Sequence, residues 1–225
     1  MGGRARGCRV LVTQEGQRRT PGPLVRTVMR GVTNATAHAP WSWRLLRRPV
    51  QLLFDRLAPG WDERVGADTE ERLAPLGAAL DTLEREPNRV LDIGTGTGSA
   101  AFFMSNRYPE AQVLGIDLSE KMIARANEKA RSRGSAARFE VADMAEFRPP
   151  DRYDLVMMMN MPVFFDQVAA LVAPGGYVVS LASRGAKTPF YTPPATLERG
   201  FARHDLRTVA VDPAGVFYVA ERPPA

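Results

Sequence analysis

Three carboxylates and three glycines stand where they can hold a small, doubly charged molecule. Arg89 to Ala100 reads RVLDIGTGTGSA. Val90, Leu91 and Ile93 make a short apolar run, as in a buried strand, and a helix is expected to start near Ser99. Between them Gly94, Thr95, Gly96 and Gly98 form a turn whose glycines accept a positive φ and let a ligand reach bare backbone. The following helix aims its free N–H groups and positive dipole end at that ligand. Dinucleotide sites use G-x-G-x-x-G at this place and seat a pyrophosphate on the helix. Here the spacing is G-x-G-x-G, and Asp92 precedes the first glycine by two residues. That carboxylate repels a pyrophosphate and suits an ammonium group, while the helix end suits a carboxylate. A ligand with both is an amino acid, so nicotinamide-dependent redox chemistry is disfavoured.

Further stations follow in order. VLGIDLS (Val113 to Ser119) is a second apolar run ending in Asp117, 23 residues after Gly94. That is the reach at which a strand-end acid meets ribose hydroxyls in doubly wound folds. Leu118 follows it. RFEVADM (Arg138 to Met144) places Asp143 and Met144 at the end of a third strand. YDLVMMMN (Tyr153 to Asn160) and LVAPGGYVVSL (Leu171 to Leu181) supply a fourth and a fifth. As a set, over about residues 54–222, these segments resemble the class I methyltransferases that use S-adenosylmethionine (SAM). Their order is similar to small-molecule members related to ubiquinone and menaquinone methyltransferases.

The resemblance implies roles for these positions. Asp92 orients the methionine ammonium, directly or through water. Gly94, Thr95, Gly96 and Gly98 line the amino-acid end. Asp117 holds the ribose, with Leu118 beside it, and Asp143 and Met144 flank the adenine. Asn160 contacts methionine or the acceptor. In FDRLAPGWDERVG (Phe54 to Gly66) Trp61 fits the SAM pocket wall, or equally a plain core position. No catalytic residue is assigned, because the leaving group of such a transfer is neutral and needs no acid. The fold implied is α/β, a three-layer α/β/α doubly wound domain. Its seven-stranded sheet is mostly parallel with an antiparallel last strand.

Composition sets the wider bounds. The 225 residues are 44% hydrophobic and 24% charged, ordinary for a globular chain. Cys8 is the single cysteine, and the two histidines, His38 and His204, are far apart, so no metal site is expected. No apolar run reaches the length that spans a bilayer. With no secretory signal visible, the cytoplasm is the expected location.

The net charge of +5 is uneven. Residues 1–50 hold ten arginines and one acid, Glu15, whereas residues 51–225 hold 20 basic and 24 acidic residues. Residues 1–40 are therefore expected to be a basic extension without fixed structure. Its first 28 residues are a basic arm for nucleic acid or an anionic surface, a transit peptide, a disordered tail, or a start called too early with Met29 the true start. Residues 41–67 (from WSWRLLRRPVQLLFDRL onward) form a helical segment with a break at Pro49, serving as a flap, a membrane-surface helix or ordinary packing. Residues 68–225 form the SAM-binding domain. Three functions stand open: methyl transfer to a small-molecule acceptor, modification of nucleic acid through the basic arm, and SAM binding without catalysis. The acceptor and the oligomeric state are not set by the sequence.

Overall fold

Strand β1 (Arg89–Ile93) is the middle of the molecule, with Val90, Leu91, Asp92 and Ile93 all buried. Around it a computed structural model describes residues 23–225. Residues 1–22, with Cys8 and most of the basic arm, lie outside the described residues.

The chain enters through α1 (Pro23–His38), α2 (Trp43–Leu57), the short α3 (Trp61–Val65) and α4 (Glu70–Leu80). After β1 come α5 (Ser99–Arg107), β2 (Gln112–Asp117), α6 (Glu120–Arg133) and β3 (Arg138–Val141). Then follow β4 (Tyr153–Met159), α7 (Phe165–Leu171), β5 (Val172–Leu181), α8 (Pro194–Ala202), β6 (Arg207–Val211) and β7 (Phe217–Glu221). The seven strands form one sheet in the order β3-β2-β1-β4-β5-β7-β6. All neighbours are parallel except β7, which runs antiparallel to both β5 and β6. This is the expected architecture.

Both sheet faces are covered, so the strands alternate between two cores. Val90, Leu155, Met157 and Val219 join the core under α4, α5 and α6. Leu91, Ile93, Val156, Met158, Tyr218 and Ala220 join the core under α1, α2, α7 and α8. Ser119 caps α6 by accepting the Met122 N–H at 3.1 Å, and Gly134 ends that helix in the left-handed region. The chain runs β1, β2, β3 towards one edge and then crosses back to β4 beside β1. Order reverses between β1 and β4, and a doubly wound sheet opens a crevice at that point, outside the carboxyl ends of the strands.

Two expectations are corrected. Residues 1–40 are not all without structure, because 23–38 form α1. Met29, Val32, Thr33 and Thr36 are buried, and Val32 packs in the same core as Trp43 and Phe164. The two threonine hydroxyls are satisfied on carbonyls one turn back, Thr33 on Met29 and Thr36 on Val32. Nor does Pro49 divide the next segment, since α2 is one helix of 15 residues. Pro49 removes the hydrogen bond to the carbonyl of Leu45, and both residues lie on the exposed side where water serves that carbonyl.

The docking of α1 can be tested at Val32. Val32→Asp puts an unpaired polar group into the core and should cost about 2 kcal/mol or more. At about 2–4 °C per kcal/mol for a chain of this size, the melting temperature should fall by about 4–8 °C. An unchanged melting temperature would show that α1 is not part of the fold.

Candidate active site

A cavity of about 720 Å³ occupies the crevice, within the range of small-molecule sites. The loop after β1 forms its floor. Gly94 (φ +67°) and Gly96 (φ +55°) hold backbone conformations that side chains avoid. Thr95 N–H bonds the Ile116 carbonyl, which ties the loop to β2. Gly96 N–H donates to Asp117 Oδ2 at 2.9 Å, and Ser119 N–H donates to Asp117 Oδ1 at 2.8 Å. Each carboxylate oxygen keeps a lone pair for a further donor from the cavity. Burial raises the Asp117 pKa, and the nearby Asp55 carboxylate adds to it, while the two backbone N–H groups oppose it.

Trp61, Gly94, Thr95, Gly96, Asp117, Leu118, Asp143, Met144 and Asn160 all border the cavity. Asp92 and Gly98 do not. Asp92 is 1% exposed and lies behind Thr95, whose hydroxyl donates to its Oδ2 at 2.7 Å. Burial pushes its pKa up to about 7, with the Asp117 charge adding to the rise and the Thr95 hydroxyl opposing it. Any action of Asp92 on a ligand therefore passes through Thr95 or a water. Gly98 serves packing, because a Cβ there would stand 2.8 Å from the Phe139 ring and 2.9 Å from the Phe102 ring.

Two further residues are partly committed to the protein itself. Asp143 Oδ1 accepts the Trp43 indole N–H at 2.8 Å and the Ala145 N–H at 3.0 Å, and Arg47 stands 3.5 Å from Oδ2. Asn160 (φ +56°) joins the ends of β4 and β5. Its amide donates to Ser183 Oγ at 3.0 Å and accepts the Ser183 N–H at 2.9 Å. Met157 and Met158 are core, whereas Met159 reaches the cavity wall.

The sequence left the opposite wall largely unassigned. It consists of Trp43, Val50, Leu53, Phe54 and Leu57 from α2, with Phe190 from the loop before α8. Phe54 meets Trp61 edge to face at 5.7 Å between ring centres and Phe190 at 6.2 Å. The helical spacing of Val50, Leu53, Phe54 and Leu57 was the available signal. Arg72 and Arg184 also line the cavity, and Arg72 Nε is buried without a hydrogen-bond partner. Burial and the charge of Arg184 pull the Arg72 pKa down.

Polar clasps hold this wall to the sheet. Thr97 Oγ1 donates to Asp62 of α3. Ser119 Oγ donates to Asp55 of α2 at 2.6 Å. Lys129 of α6 bridges Asp62 and Asp68, 3.1 Å from each. None of these pairings has a local sequence signature, because the partners lie 35 to 67 residues apart.

Residues 90–176 match a protein family described as "Methyltransferase domain". The chain is 37% identical over 142 residues to a demethylmenaquinone methyltransferase of Thermus thermophilus, an alignment covering 57% of this chain and 63% of that one. It is 34% identical over 119 residues to a trans-aconitate 2-methyltransferase of Variovorax paradoxus, covering 48% and 43%. The chain thus spans about two fifths to under two thirds of the length of these curated relatives. Among solved structures, a SAM dependent methyltransferase from Aquifex aeolicus shares the fold at a TM-score of 0.56 and 18% identity, over 68% of this chain and 93% of that one. Sheet order, the crevice between β1 and β4, the glycine loop and these matches agree: residues 90–176 are similar to a methyltransferase domain, and the sheet that carries them is Rossmann-like.

Proposed function

We propose that the protein is a SAM-dependent methyltransferase acting on a small-molecule acceptor. The observation that carries the reading is the Asp117 carboxylate, set on Gly96 and Ser119 at the crevice with acceptor capacity turned to the cavity. The cavity is large enough for the cofactor with room for an acceptor beside it. Gly94, Thr95 and Gly96 receive the amino-acid end, Asp117 the ribose hydroxyls, and Leu118 and Met144 the two faces of the base. Trp61 closes the pocket over Gly96, its indole nitrogen 3.8 Å from where a Cβ on that glycine would stand. Bound there, SAM supplies an electrophilic methyl group on a neutral leaving group.

The chain's own contribution is position and dryness. Phe54, Trp61, Phe190 and Met159 make an apolar wall that keeps water from the reacting pair. Orienting two reactants supplies on the order of 7–11 kcal/mol of the barrier, so no general acid is required. The cytoplasm is the compartment we assign, since the relatives named above act on metabolites and no described helix is long and apolar enough to cross a membrane.

Calorimetry on the full chain tests the reading first. SAM and its demethylated product should bind and NAD should not, and radiolabelled SAM with a metabolite library should label a small molecule. Tight NAD binding without SAM binding overturns the proposal.

Asp117→Ala removes two charged hydrogen bonds to the ribose. Such bonds are worth about 1.5–3 kcal/mol each, partly recovered by water. A net loss of about 2–3 kcal/mol corresponds to SAM binding weakened about 30- to 150-fold. The variant should also lose stability, because the Gly96 and Ser119 N–H groups lose their partner. Wild-type SAM affinity in the folded variant would take Asp117 out of the site.

Asp92 gives a pH signature. Its folded pKa of about 7 lies above its unfolded value near 3.9, so the fold favours the protonated form. Between those values the native state binds more protons than the unfolded chain, and stability falls as pH rises. The penalty at pH 8 amounts to about 4 kcal/mol at most. Asp92→Asn should therefore melt higher than wild type at pH 8 and not at pH 4. If the bound ammonium draws on this carboxylate, SAM affinity of the wild type should also rise between about pH 6 and pH 8, and that of the variant should stay flat. A flat profile in both proteins would remove Asp92 from cofactor binding.

A further inference from the structure

Helix α2 carries two apolar stripes, and only one is covered by the described residues. Trp43, Val50, Leu53, Phe54 and Leu57 face inward and line the cavity. On the opposite side Trp41, in the turn before the helix, is 70% exposed, Leu45 72% and Leu52 58%. At about 100° per residue these three, with Arg48 and Arg56, fall within an arc of about 80°. Arg44 flanks them, and Arg44, Arg48 and Arg56 are all exposed. Among the described residues none of these three arginines forms a hydrogen bond or an ion pair. Asp55, the one acid of the helix, borders this arc between Arg44 and Arg48 and is held by the Ser119 hydroxyl.

We propose that this outer stripe of α2 seats the protein on an anionic lipid surface. A helix lying in a bilayer interface has this make-up: aromatic and leucine side chains that enter the acyl boundary, and arginines that stay with the lipid phosphates. The charge selects the occupant. A two-fold contact between copies of this chain would set three arginines against three arginines, with Asp55 already committed to Ser119. A nucleic acid would satisfy the arginines and leave Leu45 and Leu52 in water. An anionic bilayer receives both kinds of side chain. The consequence is positional, because the cavity wall is the other face of the same helix. Docking would hold the cavity about one helix diameter, about 10 Å, from the lipid.

Sedimentation of the full chain with vesicles tests this. Vesicles of phosphatidylcholine with phosphatidylglycerol should bind the protein, vesicles of phosphatidylcholine alone should bind it less, and salt should weaken the first. The double variant Leu45→Glu, Leu52→Glu changes only exposed positions. Its melting temperature and SAM affinity should match wild type, while partition onto the anionic vesicles falls about tenfold or more. No sedimentation of the wild type with anionic vesicles overturns the proposal. So does equal binding by the double variant, which would place the attraction elsewhere in the chain. A lipid-free dimer, or a complex with duplex DNA or RNA, that the double variant abolishes in the absence of vesicle binding also overturns it. Failure of the wild type to bind SAM would sink the methyltransferase reading and leave this one standing.

Discussion

Gly96 N–H and Ser119 N–H share the two oxygens of Asp117, and this bridge fixes the geometry of the crevice. It joins the loop leaving β1 to the start of α6 and so sets the spacing between two helix N-termini. The carboxylate is half-buried and short of donors at once. Desolvation works against its ionised form, and the two backbone N–H groups repay part of that cost. Gly96 makes its bond from a positive φ, a conformation other residues enter at a cost.

The N-terminal helices depend on the same edge of the sheet. Each of three successive loops there is gripped by one side chain from the segment before the first strand. Thr97 after β1 meets Asp62, Ser119 after β2 meets Asp55, and Asp143 after β3 meets Trp43. The grips lie 7 and 12 residues apart along the N-terminal segment, so α2 and α3 must run along the carboxyl edge and cannot stand away from it. Between the grips the inward stripe of α2 becomes the cavity wall. The segment is thus a registered third side of the pocket and more than a loose flap.

Reading from sequence succeeded where local pattern and strand ends decide the outcome. The glycine turn after β1, the capped start of α6 at Ser119, and the position of Asp117 at a strand end all depend on neighbours within a few residues. It fell short where partners are distant. Nothing around Asp143 announces Trp43, a hundred residues upstream. Nothing around Gly98 announces that the Phe139 ring occupies its Cβ position, so a packing glycine reads as a cavity glycine. Pro49 carries a strong local signal for a break, yet tertiary burial on the inner side of α2 overrides it. In α1 the uncharged run from Gly31 to Trp43 was a weak cue beside the arginines that precede it.

The electrostatics of the pocket follow from these placements. The charge of Asp117 raises the proton affinity of Asp92, and the charge of Asp55 raises that of Asp117. The arginines lie apart from them, with Arg72 and Arg184 repelling each other on another part of the wall. Like charges therefore stand together in and behind the pocket wall at both places, an arrangement that costs free energy in a partly dry site. A ligand with a cationic group at the acidic end and an anionic group at the basic end relieves both repulsions on entry. A dinucleotide pyrophosphate, with negative charge at its centre, would meet Asp117 and relieve only one. Opposite clusters of this kind favour a ligand that carries both charges over one that carries a single sign.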